Sequence, residues 1–160
     1  MLSEAASRRH LSDKRLAAYS QGSTLEFALG LYEWNIALSA PVYESLHRVE
    51  VVVRNALDRE LATWNETQVH RTSGQSLGRA WLVTPAPPLR RLMGASWVRA
   101  LRRTEREPRG SHPDAGCQHA DALTQLPFST WRRLLPDADP GRQLLWIQAT
   151  HRAFPNLDGY

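Results

Sequence analysis

LYEWNIALSAPVYESLHRVEVVVRNALDREL (residues 31–61) decides the fold, because its apolar residues recur at helical spacing and show no strand alternation. The pattern begins upstream. Leu25, Phe27, Ala28, Leu29, Leu31, Tyr32, Trp34, Ile36 and Leu38 leave only Glu26, Gly30, Glu33 and Ala37 as a narrow polar or small stripe. A helix apolar on most sides is expected to be buried on most sides. Ser39 and Pro41 then predict an interruption, since a hydroxyl suits an N-cap and proline is tolerated in a first turn, where its missing N–H costs nothing. A second long helix follows over about residues 41–64. Its wheel puts Val42, Leu46, Val49, Val53, Ala56, Leu57 and Trp64 on one face, with Glu44, Arg48, Asn55 and Ala62 opposite.

Working outward, residues 1–23 are polar, and Leu11, Arg15, Leu16 and Tyr19 fit one short helix behind Ser12. NETQVHRTSGQSLGRA (65–80) and TPAPP (84–88) cannot continue a helix, so 65–88 reads as a loop with a turn near Trp81. A third helix is expected over 89–105. Leu89, Met93, Trp97, Ala100 and Leu101 fall on one side of it, and Arg99, Arg102, Arg103 and Arg106 on the other. A second loop is expected over 107–120. Two shorter helices complete the chain, one over 121–135, broken by Pro127 and closed by Pro136, and one over 141–154, stopped by Pro155. The fold class is therefore all-α, a single domain over 1–160 with two long helices in its first half. Most of the six tryptophans are expected in its core.

Twenty basic residues face sixteen acidic ones, a net charge of +4, and Lys14 is the one lysine among them. Such a surplus steers polyanions and favours their counterion release. The clustered face Arg99, Arg102, Arg103, Arg106 is accordingly the candidate RNA contact, with a solvated helix face as the plain alternative. The lone Cys117 cannot close an internal disulfide, and the first twenty residues hold no apolar run of signal or membrane length. A cytoplasmic protein without membrane contact is expected. His112, Cys117 and His119 lack a fourth ligand at a recognised spacing, so no metal site is expected and no cofactor. Glycine-rich phosphate loops and nucleophile elbows are absent from the sequence.

Glu50, Arg54 and Asp58 stand at successive i, i+4 positions near Tyr43, His47 and Leu61. They read either as an ion-pair ladder, each rung contributing about 0.2–0.5 kcal/mol, or as a polar group in which Arg54 binds phosphate and Glu50 orients it.

Taken together, LSDKRLAAY (11–19), ALGLYEWNIALSAPVYESLHRVEVVVRNALDREL (28–61), ALTQLPFSTWRRLL (122–135) and WIQATHRAFPNL (146–157) resemble the Abi-like family of abortive-infection bacteriophage-resistance proteins. The resemblance implies a HEPN-like helical bundle acting in bacterial phage defence. Many HEPN proteins are metal-independent endoribonucleases whose motif, RN followed after several residues by His, lies on a late helix. In Abi-like proteins that helix falls downstream of the RAFP-type segment, and this sequence ends at Tyr160, where it is expected to begin. Arg106 and His112 have a compatible spacing, but Pro108 and Gly110 between them rule out one helical face. Arg54–Asn55 has no histidine after it before His70.

What the resemblance implies is thus a truncated relative that binds RNA or a partner and lacks its own RNase motif. The alternative is an endoribonuclease toxin whose site is completed by another chain, or by Glu50 and Arg54 with His47 or His151. A missing last helix would leave apolar surface on the 41–64 helix, for which a homodimer through that groove is the expectation.

Overall fold

The computed structural model describes residues 13–20, 22, 24–105 and 114–157. Those residues form six α-helices: α1 (Asp13–Ser20), α2 (Leu25–Thr67), α3 (Pro87–Thr104), α4 (Ala115–Thr124), α5 (Phe128–Arg132) and α6 (Pro140–Gln148). Two 3-10 turns follow, Thr150–Ala153 and Pro155–Leu157. No strand occurs among the described residues; Val69 and Ser76 form an isolated antiparallel bridge. None of the described helices is long and apolar enough to cross a membrane. The chain divides into two compact units, Met1–Val49 and Glu50–Tyr160.

The helix α2, which begins in the first unit and ends in the second, corrects the expectation of two helices, because Pro41 lies inside one continuous helix of 43 residues. Proline removes one backbone hydrogen bond at a cost of about 3 kcal/mol. Stopping and restarting would instead leave a full turn of N–H and a full turn of C=O groups without intrahelical partners, and would require a second nucleation. Ser39 does not cap a new helix. Its hydroxyl donates to the Asn35 carbonyl (2.7 Å), and Ser45 donates to the Pro41 carbonyl (2.8 Å), so both serve the helix from within. Thr24 Oγ1 accepts the Phe27 N–H (3.3 Å) at the start of α2. The Tyr19 and Tyr32 rings meet edge to face at 5.6 Å, and Asn35 donates to the Tyr19 hydroxyl (3.1 Å). The anticipated burial on most sides is not found: Phe27, Trp34, Ile36 and Leu38 are half exposed or more.

The second unit holds the core. Leu57, Leu61 and Trp64 of α2 pack with Trp81, Leu82, Leu89, Met93, Trp131, Leu134 and Leu145, and burying each large apolar side chain stabilises the fold by about 1.5–3 kcal/mol. Ala62, expected on the polar face, belongs to this core as well. Segment 68–86 is irregular, as its glycines and prolines imply, yet it is pinned. The fully buried Asn65 donates to the carbonyls of Gly78 (2.8 Å) and Thr84 (3.0 Å) and accepts the Ala86 N–H (2.9 Å). Prolines at its first positions open α3, which turns sharply at Gly94 (φ +49°, ψ −134°), a left-handed conformation that side chains disfavour. The helix α4 begins at Ala115, inside the expected loop 107–120, because the Asp114 carboxylate caps it by accepting the Cys117 N–H (2.8 Å). Asp139 caps α6 in the same way through the N–H groups of Gly141 and Arg142.

Candidate nucleic-acid interface

The second half of α3 sorts its residues as the sequence implies: Ala100 is buried, Trp97 and Leu101 are partly buried against the core, and Arg99, Arg102 and Arg103 are exposed. Arg106 lies outside the described residues. Ser96, Arg99, Ala100 and Arg103 of α3 face Thr124 at the end of α4 and the linker Gln125, Leu126 and Pro127 across a cleft of about 420 Å³. Leu126 is buried and Pro127 precedes α5, which together fix the far wall.

The guanidinium groups in this cleft are lightly held. Arg103 Nη1 lies 3.5 Å from Gln125 Oε1, and Arg99 Nη2 lies 3.5 Å from Ser96 Oγ. Among the described residues neither they nor Arg102 form an ion pair with a carboxylate. Arg102 and Arg103 also sit in the last turn of α3, where positive charge offsets the negative end of the helix dipole. Two forked cations beside the Ser96 and Thr124 hydroxyls and the Gln125 amide can hold phosphate oxygens by paired hydrogen bonds.

A second cleft, about 520 Å³, is lined by Val69, His70, Arg71, Leu77, Pro85, Pro87, Arg90 and Arg91. Two of its three arginines are more committed. Arg91 grips Asp139 through two bonds, 2.6 and 2.9 Å, and Arg90 lies over the Trp97 ring at 5.7 Å. The Arg91 hydrogen bonds, joined by the capping N–H groups of Arg142 and Gly141, hold the Asp139 carboxyl well below the ordinary carboxylate range.

The other candidates are dispersed. The expected ladder Glu50–Arg54–Asp58 does not form. Arg54 Nε lies 3.4 Å from Asn55 Oδ1, and Asp58 turns instead to Trp81 Nε1 (2.7 Å) and His119 Nε2 (2.9 Å). His47 is an exposed residue of the first unit, whereas Glu50 and Arg54 belong to the second. His151 spends Nδ1 on the Trp146 carbonyl (2.8 Å) and rests its ring edge-on against Trp146. His112 lies outside the described residues, and Cys117 has its thiol pushed up by the neighbouring Asp114 charge, which opposes thiolate ligation. Trp64, Trp81 and Trp131 are core residues, Trp97 and Trp146 are partly buried, and Trp34 is exposed in the first unit. None of these rings was placed beside an arginine by sequence reasoning, and the Arg90–Trp97 contact had no signal beyond their i, i+7 spacing.

No protein-family model matches this chain, and neither a curated protein nor a solved structure matches it.

Proposed function

We propose that the chain is an RNA-binding helical module that grips the phosphodiester backbone in the cleft between α3 and residues 124–127. The observation that carries this reading is the pair Arg99 and Arg103, two guanidinium groups lining one cleft with no carboxylate partner among the described residues. Backbone contacts of this kind supply affinity without reading sequence. The setting we propose is bacterial phage defence, with an Abi-like, HEPN-like helical bundle as the fold; its support is the four sequence segments at 11–19, 28–61, 122–135 and 146–157. The endoribonuclease alternative differs from this reading in one observable, the length of the RNA after binding.

The test is titration of a labelled single-stranded RNA with the intact chain and with an Arg99→Ala/Arg103→Ala variant, followed by recovery of the RNA. Binding that weakens at least tenfold in the variant, with RNA of unchanged length, is the expected result. Equal binding by both proteins would overturn the cleft assignment, and shortened RNA would favour the endoribonuclease reading instead.

A further inference from the structure

Along the first part of α2, Phe27 (58% exposed), Trp34 (60%), Leu38 (50%), Val42 (50%), Leu46 (51%) and Val49 (50%) remain open to water. At 3.6 residues per turn these positions fall within roughly a third of the helix circumference, in a stripe about 33 Å long. From residue 40 to residue 49 every residue is exposed, with no covering side chain among the described residues of the first unit. Helices in water draw most of their stability from packing an apolar face. In this stretch the apolar face is exposed among the described residues of the first unit.

We infer that a second copy of the chain covers the stripe, in an antiparallel contact centred on Leu38. Size decides the orientation. With Leu38 opposite its own copy, Trp34 meets Val42, Phe27 meets Val49, and the half-buried Leu31 meets Ser45. At each of these levels the larger side chain of one half then faces a smaller one of the other, as Leu46 does with Gly30, the alternation that fills space without strain. A parallel pair would stack Trp34 on Trp34 and Val42 on Val42, overfilling one level and leaving a void at the next. The area is also of the right order. Six large side chains at half exposure or more offer on the order of 600 Å² per copy, more than a soluble monomer commonly leaves in one apolar patch and close to the roughly 800 Å² per partner of a standard interface.

The experiment uses the full chain in a Cys117→Ser background. Light scattering is expected to give twice the 18.1 kDa chain mass, and Leu38→Glu, which sets two carboxylates against each other at the centre, is expected to give the single-chain mass with helical circular dichroism retained. Under mild oxidation, a mixture of the Trp34→Cys and Val42→Cys chains is expected to cross-link far faster than either variant alone. A single-chain mass for the unsubstituted protein, a Leu38→Glu chain that remains paired, or cross-linking of each cysteine variant with itself would overturn the inference.

Discussion

His119 of α4 and Asp58 of α2, 61 positions apart in sequence, are joined by a hydrogen bond of 2.9 Å from the imidazole Nε2 to the carboxylate Oδ1. The other ring nitrogen, Nδ1, accepts the Leu82 N–H (3.3 Å), which requires the tautomer carrying its proton on Nε2. Trp81 Nε1 donates to the same carboxylate oxygen (2.7 Å). One carboxylate thus ties α2 to α4 and to the irregular segment between α2 and α3.

Removing that acceptor orphans two donors, one of them on the fully buried Trp81. Asp58→Ala is expected to lower unfolding free energy by about 2–4 kcal/mol, since each buried group left unpaired costs about 1–3 kcal/mol. Asp58→Asn, which keeps one acceptor oxygen, should cost less. Urea denaturation of the two variants checks the order.

Asn65 closes the same segment from the other side through three hydrogen bonds. Asn65→Ala leaves two carbonyls and one N–H without this partner, and a loss of roughly 2–4 kcal/mol is expected. Amide exchange should show the loosening first over residues 78–86; uniform exchange across the second unit would argue against the pin.

The Asp139 carboxyl is depressed by the Arg91 bonds, so its contribution to stability is present above the ordinary carboxylate range and is lost as pH falls through the lower folded-state value. Urea midpoints of the parent chain and of Asp139→Asn should therefore differ near neutral pH and converge in strong acid. A difference that persists unchanged into strong acid would contradict the assignment.

Pro41 removes a hydrogen bond inside α2 and is itself exposed. Pro41→Ala is expected to stabilise the helix by up to about 3 kcal/mol, seen as a later loss of helical signal on heating. A helix unchanged or weakened by this substitution would mean that Pro41 carries no net cost to α2.

The helices were legible where apolar periodicity was dense: the 89–105 expectation became α3 (Pro87–Thr104), and 141–154 became α6 with the turn that follows it. Pro41 misled because a breaker rule weighs one residue, whereas the helix weighs a lost bond against two new ends. The capping role of Asp114 is masked in the sequence by Pro108, Gly110, Pro113 and Gly116, which together argue for loop. The arginine face was legible from spacing alone, but its opposite wall at residues 124–127 was not, since a cleft needs two segments whose approach no local pattern encodes. The Asp58, Trp81 and His119 cluster is illegible for the same reason: the i, i+4 neighbours of Asp58 suggested an ion pair, and tertiary partners won.

If Arg99 and Arg103 hold the RNA backbone as proposed, the salt dependence of binding carries their signature. Each phosphate contact on a single strand adds about 0.7 to the slope of log K against log salt concentration, so Arg99→Ala/Arg103→Ala should flatten that slope by about 1.4 while weakening RNAs of different sequence alike. A slope equal to that of the parent chain would rule out phosphate contacts by these two arginines.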